Sequence, residues 1–134
     1  MIVVDTNIVA YLFLPSPYTA AAEQLLLQEP NWVVPLLWRS EFRNVLTLHM
    51  RKALISLEEA LERQAKAEAF FGGREHSVNS SDVLTLAAES AASAYDCEFV
   101  ALARHFGVEL VTMDDKLVKA FPQDAVLLTR FHRA

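Results

Sequence analysis

The stretch SAYDCEFVALARHFGVELVTMDD, residues 93–115, indicates the fold class of this chain. Its middle predicts a helix with one apolar face, because apolar residues recur three and four positions apart. These residues are Phe99, Val100, Ala103 and Phe106. Gly107 is a typical helix terminator, and the apolar segment 109–112 that follows it predicts a buried strand. The stretch therefore places Asp96 at the start of a helix and Asp114 just beyond a strand's carboxyl end, where ligands bind in open parallel α/β sheets.

Strands and helices alternate along the rest of the chain. Short apolar runs predict strands at residues 2–4, 32–34, 75–78, 109–112 and 125–128. Periodicity and capping residues predict helices at residues 8–14, 17–29, 36–51, 57–71, 83–94 and 116–121, besides the helix within residues 93–107. This alternation predicts an α/β protein with a mostly parallel five-stranded sheet and helices on both faces. The basic tail, residues 129–134, is predicted to be mobile.

The composition is that of a single globular domain that spans residues 1–134. Hydrophobic residues make up 53% of the chain and charged residues 22%. No apolar run approaches the roughly 18 residues needed to cross a bilayer, so we expect a cytoplasmic protein without a membrane partner. The single cysteine, Cys97, excludes an internal disulfide and is predicted to pack in the core. A net charge of −5 argues against a purely electrostatic nucleic-acid binder but is compatible with a metal-dependent one.

Four acidic residues fall at the beginnings or ends of predicted elements. Asp5 follows the first strand and Asp114 follows the fourth, while Asp96 begins a helix. Glu41 lies in the second turn of the predicted helix 36–51. Because parallel strands bring their carboxyl ends to one edge of a sheet, we predict that these four carboxylates share one pocket. Alternatives remain open, since Asp5 and Asp96 also suit helix capping and a lone glutamate is usually a surface residue.

A pocket of four carboxylates favours a divalent cation. Like charges within a few ångströms repel one another, and without a cation some of these groups would take up protons. All-oxygen ligands without paired histidines favour Mg²⁺ or Mn²⁺ over Zn²⁺. The histidines show no metal-ligand spacing and are predicted to be structural or surface residues. They are His49, His76, His105 and His132. Carboxylate-bound Mg²⁺ is typical of phosphoryl chemistry.

Four motifs around these acids resemble, in order and at the expected spacings, those of the PIN-domain family. The closest match is to its VapC-type toxin ribonucleases. The motifs are Val3-Val4-Asp5-Thr6-Asn7, Trp38-Arg39-Ser40-Glu41, Tyr95-Asp96-Cys97-Glu98-Phe99-Val100-Ala101-Leu102-Ala103 and Leu110-Val111-Thr112-Met113-Asp114. Each motif is weak alone, but together they cover essentially the whole chain.

The resemblance implies a small endoribonuclease that depends on Mg²⁺ or Mn²⁺. The residues that it implies for catalysis and metal binding are Asp5, Glu41, Asp96 and Asp114. It places Thr112 or Asn7 as nearby polar support, and Asp115, directly after the last motif, is a candidate to share metal binding with Asp114. The resemblance also implies an RNA substrate, a homodimer and inhibition by a cognate VapB-type antitoxin, as expected for the toxin of a VapBC-type pair.

An acidic chain that binds RNA needs basic side chains near its active site. The candidates are Arg39 and Arg43 on the helix that carries Glu41, and Lys116 and Lys119 beside Asp114. The alternative is that these are ordinary solubilising charges. In that case the basic tail, with Arg130 and Arg133, is the next candidate.

Three other functions remain open from the sequence. A receiver-like signalling domain also combines an acidic pocket, Mg²⁺, a threonine and a lysine such as Lys116, but its phosphoacceptor should end a central third strand. A haloacid-dehalogenase-like phosphatase needs an aspartate two residues after Asp5, where Asn7 stands. A catalytically silent PIN scaffold that only binds partners is the third, and the presence of all four acids argues against it.

Overall fold

The structure, a computed structural model, describes residues 1–132 of the chain. Its strands are β1 (Ile2–Val4), β2 (Trp32–Pro35), β3 (Glu75–His76), β4 (Leu110–Thr112) and β5 (Ala125–Leu127). Its helices are α1 (Thr6–Phe13), α2 (Thr19–Gln28), α3 (Trp38–Arg51), α4 (Leu57–Phe70), α5 (Ser80–Ala88), α6 (Ala94–Phe106) and α7 (Asp115–Ala120). A 3₁₀ turn, Leu128–Arg130, follows β5. The predicted α/β architecture is confirmed.

The five strands form one parallel sheet in the order β3-β2-β1-β4-β5. Val3 in β1 pairs with Val33 in β2 and with Leu110 in β4, so β1 is the central strand. The chain builds outward from β1 through β2 to β3 and then returns to place β4 on the other side of β1. Because crossovers between parallel strands are right-handed, this reversal puts α1–α4 on one face and α5–α7 on the other. The switch point of the sheet therefore lies between β1 and β4.

Both faces of the sheet are covered, which explains why the central strands are continuously apolar. All residues of β1, β2 and β4 are buried. The large aromatic side chains Trp32, Trp38, Phe42, Phe71 and Phe99 are fully buried in the core. Cys97 is buried as predicted. Within residues 1–132, no helix combines the length and the apolar character needed to cross a membrane.

The start of α3 is later than predicted, at Trp38 rather than residue 36. The backbone N–H of Leu36 donates to the carbonyl of His76 in β3, so this part of the chain is still tied to the sheet. As a result, Glu41 lies in the first turn of α3 and not in the second. The buried side chains of Trp38 and Phe42 fix the position of this turn.

Other boundaries differ where side chains form turns outside the helices. The hydroxyl of Thr19 donates to the carbonyl of Tyr11, and Ser16 accepts from the N–H of Tyr18, so α2 begins at Thr19 and not at residue 17. The strand β3 has two residues where 75–78 was predicted, and α5 ends at Ala88 rather than at residue 94.

The predicted mobile tail is wrong for the part that the structure describes. Residues 128–130 form a 3₁₀ turn, and the ring of Phe131 is buried with 6% exposure. Burial of this aromatic side chain anchors the segment on the domain. Arg133, named as an alternative RNA contact, lies outside the described residues.

Candidate active site

Asp5 stands at the carboxyl end of the central strand and is held by two hydrogen bonds. The N–H of Thr6 donates to Asp5 Oδ1 at 2.8 Å, and the hydroxyl of Thr112 donates to Asp5 Oδ2 at 2.7 Å. Asp5 is 8% exposed and Thr112 is fully buried. Asp5 therefore caps α1 and also joins β1 to β4. The helix-cap role is confirmed, and it leaves Asp5 next to the other end-of-strand residues.

Asp114 is placed by the same threonine. Its N–H donates to the hydroxyl oxygen of Thr112 at 3.0 Å. Asp114 Oδ1 accepts from the N–H of Lys116 at 2.9 Å and caps α7. Its Oδ2 accepts no hydrogen bond from residues 1–132, which leaves one carboxylate oxygen available to a ligand.

Thr6 links Glu41 to Asp5 by hydrogen bonds. Thr6 was not among the site residues predicted from the sequence. The buried hydroxyl of Thr6 donates to Glu41 Oε1 at 2.7 Å, across 35 residues of sequence. Thr6 also supplies the N–H that binds Asp5, so one residue holds two of the four acids. A hydroxyl directly after Asp5 at a helix start was a usable signal, but nothing in the sequence showed that it reaches α3.

Asp96 occupies the first turn of α6, opposite Asp114. The hydroxyl of Ser93 accepts from the N–H of Asp96 at 3.0 Å, as the capping alternative predicts. The return bond from the Ser93 N–H to the Asp96 carboxylate, which would complete a capping box, does not form among the described residues. Burial raises the pKa of Asp96, the charge of Asp114 raises it further, and the Ser93 hydroxyl lowers it. The Asp96 carboxylate therefore interacts electrostatically with Asp114.

Burial and the charges of neighbouring acids raise the pKa values in this group of acids. Burial raises the pKa of Asp5 to about 6, against the hydrogen bonds of Thr112 and Thr6, and the charges of Glu41 and Asp96 raise it further. The pKa of Glu41 is also raised, first by burial and then by the charge of Asp96, while its bond from Thr6 lowers it. Hydrogen bonds and charge interactions thus link Asp5, Glu41, Asp96 and Asp114 into one group of acids, here called the acidic pocket, whose negative charge is only partly offset by hydrogen bonds.

Glu98 is a fifth acid near this pocket that the sequence analysis did not identify as a site residue. It is half-buried, its pKa is raised by burial, and its charge raises the pKa of Glu41. Glu98 is two positions after Asp96 on α6, and residues two apart project to roughly opposite sides of a helix. The effect of Glu98 on the pKa of Glu41 shows that its side chain lies near Glu41, which the sequence pattern did not indicate.

The other predicted polar residues occupy different positions. Asp115 is exposed, and its carboxylate pairs with Lys119 Nζ at 2.8 Å, outside the hydrogen-bond chain that joins Asp5 to Asp114. Asn7 is half-buried, and its Oδ1 is buried without a hydrogen-bond partner among residues 1–132. Such an unpaired acceptor carries a desolvation cost that a bound water or ligand would relieve.

The pocket suits an open metal site of the magnesium type. Within the part of the chain that the structure describes, no three acidic, histidine or cysteine side chains are arranged to enclose one ion by themselves. Mg²⁺ keeps several of its waters and commonly binds through one or two carboxylates, so it does not require such an enclosure. All-oxygen donors, raised pKa values and a carboxylate oxygen of Asp114 without a protein donor fit this mode of binding.

The four candidate RNA-binding cations differ in their surroundings. Arg39 binds Glu75 through Nε at 2.6 Å and Glu68 through Nη1 at 2.8 Å, which raises the pKa of its guanidinium. Because Arg39 is two positions before Glu41 on α3, it projects away from that residue. Lys119 pairs with the acid one turn before it.

Arg43 and Lys116 are exposed and form no ion pair with residues 1–132. Of the four predicted cations, these two therefore have charges that are available to a phosphate.

The sequence matches the model of a known family and resembles a named ribonuclease. The PIN domain model matches residues 2–121. Ribonuclease VapC3 of Pyrobaculum aerophilum is 31% identical to this chain over 124 residues, covering 90% of this chain and 95% of the relative.

Solved structures show the same fold. FitAcB from Neisseria gonorrhoeae superposes with a TM-score of 0.77 at 16% identity, covering 98% of this chain and all (100%) of that one. A toxin-antitoxin complex from Klebsiella pneumoniae gives a TM-score of 0.72 at 18% identity, covering 96% of this chain and 98% of that one. With the family match over residues 2–121 and the relative at 31% identity, these findings show that the chain belongs to the PIN-domain family.

Proposed function

We propose that this chain is a Mg²⁺- or Mn²⁺-dependent endoribonuclease that hydrolyses RNA phosphodiester bonds and serves as the toxin of a VapBC-type pair in the cytoplasm. The observation that carries the proposal is the acidic pocket at the carboxyl edge of the sheet, where Thr112 joins Asp5 to Asp114. The 31% identity to a protein named Ribonuclease VapC3 supports the same activity.

In this proposal the metal ion binds through one or two of the carboxylates of Asp5, Asp96 and Asp114, and water molecules complete its coordination. When bound, a divalent cation neutralises phosphate oxygens and makes a water molecule more acidic. Thr112 fixes Asp5 through a 2.7 Å hydrogen bond and favours its ionised form, which is the form that binds metal. Asp114 offers its Oδ2, since its Oδ1 caps α7.

Glu41 has a different role in the proposal, that of proton acceptor. Its Oε1 is occupied by the Thr6 hydroxyl, so Oε2 is the atom that remains to accept a proton from an attacking water. The raised pKa of Glu41 favours this role, because a general base works best when its pKa approaches the working pH. The charge of half-buried Glu98 raises the pKa of Glu41 further.

A VapB-type antitoxin and a second copy of the chain are the proposed protein partners. The Klebsiella pneumoniae structure that shares this fold is a toxin-antitoxin complex, which supports an antitoxin partner. The second copy of the chain is proposed from the resemblance to VapC-type toxins alone.

Two of the alternative functions are not retained. A receiver-like domain requires its phosphoacceptor after a central third strand, whereas β3 is an edge strand that ends at His76. A dehalogenase-like phosphatase requires an acid at position 7, which is Asn7. A catalytically silent PIN scaffold has the same fold as the proposed enzyme, so only an activity measurement separates the two.

The test is cleavage of RNA by the purified chain. We expect cuts in total RNA with Mg²⁺ or Mn²⁺ and none with chelator, and the cleavage sites should be mapped after a brief reaction. Asp5→Asn should reduce the rate on the order of a hundredfold or more, because it removes a charge that positions the metal. Asp82→Asn, an exposed acid on α5, is the matched control and should retain full activity. Absence of cleavage by the wild type under all these conditions would favour the silent scaffold.

A further inference from the structure

A cavity of about 590 Å³ adjoins the acidic pocket and is not explained by metal binding alone. It lies between the turn at residues 89–93 and α7, and both Asp96 and Asp114 line it. We call this cavity the side groove. Its volume is within the range of roughly 300–1,000 Å³ for pockets that hold small organic ligands. It therefore has room for a group much larger than a hydrated ion.

The floor of the side groove is apolar and made of small residues. Ala91, Ala92 and Ala120 line it together with the buried side chain of Leu117. Alanine side chains leave space above the backbone, and an apolar surface of this kind can bury the face of a nucleobase away from water. A phosphate or a metal ion alone would gain nothing from such a floor.

Polar groups stand at the margins of the side groove. The Ser93 hydroxyl accepts from the N–H of Asp96 and stands beside the Asp96 carboxylate. Lys116 lines the groove and forms no ion pair within residues 1–132, whereas Lys119 is paired with Asp115 and Glu89 adds a negative charge. With both signs of charge present, the groove is not a simple anion site. The combination of an apolar floor and one available cation matches a nucleoside joined to a phosphate.

From this arrangement we propose that the side groove holds one unpaired nucleotide next to the scissile phosphate and determines which base is accepted beside the cut. The inference rests on the proposed ribonuclease function. Asp96 and Asp114 belong to both the acidic pocket and the groove, so a strand cleaved at these acids continues directly into the groove. A base that is stacked and paired in a duplex cannot enter a cavity of this size, so the nucleotide must be unpaired.

The test fills the groove without touching the acids. Ala120→Trp and Ala91→Trp place a bulky side chain into the groove from two sides, one from α7 and one from the turn at residues 89–93, and Ala120→Leu is a milder version. Ala65→Trp, at an exposed alanine of α4 that does not line the groove, is the matched control. Circular dichroism checks the fold of each variant. Cleavage sites on total RNA and steady-state kinetics on one short single-stranded substrate are then compared with the wild type.

We expect both tryptophan variants to raise KM roughly tenfold, because the bulky side chain displaces one base from its apolar contacts, with kcat changed less. They should also alter the base preference on one side of the cut, while Ala65→Trp matches the wild type and Ala120→Leu is intermediate. Unchanged KM and base preference in both variants would overturn the inference, as would a loss confined to kcat that is equal for all sequences. Failure of the wild type itself to cut RNA would instead overturn the proposed function.

Discussion

The hydroxyl of Thr112 joins Asp5 to Asp114 at the switch point of the sheet. It donates to Asp5 Oδ2 at 2.7 Å and accepts from the N–H of Asp114 at 3.0 Å. Thr112 and Asp5 are 107 residues apart in sequence, and the threonine is fully buried. A side chain that solvent does not reach therefore sets the relative position of two carboxylates.

Loss of the Thr112 hydroxyl should weaken both the fold and the site. Thr112→Val keeps the shape of the side chain but removes the donor to Asp5, and a hydrogen bond to a charged group contributes about 1.5–3 kcal/mol. We expect a loss of stability of that order at neutral pH, measured by urea denaturation, and a drop of roughly tenfold or more in Mn²⁺ affinity. Thr112→Ser, which retains the hydroxyl, should keep most of the metal affinity. Equal metal affinities for the valine and serine variants would contradict the role of the hydroxyl.

Stability without metal should fall as the pH rises through the titration of Asp5. The folded pKa of Asp5, about 6, is above its ordinary value of 3.8, so the folded state binds more protons between these values. The contribution of Asp5 to the free energy of unfolding is therefore most favourable below about pH 4. Above about pH 6 that contribution is lower by roughly 3 kcal/mol.

Asp5→Asn should remove this pH dependence. The variant's gain in the free energy of unfolding at neutral pH is reduced by about 1 kcal/mol. The reason is that asparagine has one acceptor oxygen where aspartate uses two. In chelator, urea denaturation should show the variant to be more stable than the wild type by roughly 2 kcal/mol near neutral pH and no more stable near pH 4. A difference that does not change with pH would show that burial of Asp5 has no such cost.

Thr6 should control Glu41 without contributing to metal binding directly. Thr6→Val removes the 2.7 Å bond to Glu41 Oε1 and leaves the backbone N–H that binds Asp5. We expect kcat to fall by roughly tenfold and the acidic limb of the pH–rate profile to move to higher pH, because loss of the bond raises the pKa of Glu41. Thr6→Ser should restore both quantities. A valine variant with wild-type kcat and pH profile would rule out this positioning role.

Metal should stabilise the chain through the acidic pocket. At a concentration of about one hundred times Kd, a bound ion adds roughly 2.7 kcal/mol to the free energy of unfolding. We expect Mn²⁺ to raise the melting temperature of the wild type and of the control Asp82→Asn. The increase should disappear in Asp114→Asn, which leaves Asp5 and its hydrogen bonds in place. A full increase in Asp114→Asn would remove Asp114 from the metal ligands.

RNA affinity should depend on Arg43 and Lys116 more than on Arg39. For single strands, each phosphate contact contributes about 0.7 to the slope of log affinity against log salt, so Arg43→Ala with Lys116→Ala should reduce that slope by roughly 1.4. Lys66→Ala, a lysine paired with Glu62 on α4, is the control.

Arg39→Ala should instead lower stability, since Arg39 holds Glu75 and Glu68 across three elements. Fluorescence anisotropy with a labelled single-stranded RNA at several salt concentrations measures the slopes. An unchanged slope in the Arg43 and Lys116 double variant would exclude these two side chains as phosphate contacts.

The sequence by itself determined the α/β class and the five strands, and it predicted four carboxylates at one edge of the sheet. These features are local, because continuous apolar runs mark strands that are covered on both faces, and an acid directly after such a strand must lie at its carboxyl end. The position of Asp5 follows from this rule alone, and that of Asp114 follows from it with one residue, Met113, between strand and acid. The positions of Glu41 and Asp96 needed the additional expectation that the helices start at the same edge.

Only the tertiary structure decided how the side chains between these elements pair. The start of α3 depends on a hydrogen bond from Leu36 to β3, and the link between Thr6 and Glu41 spans 35 residues. Arg39 is directed to Glu75 by the packing of α3 beside β3, although its sequence position suggested an RNA contact. Side-chain direction depends on which distant elements are packed together, and helical or strand periodicity carries no information about that choice.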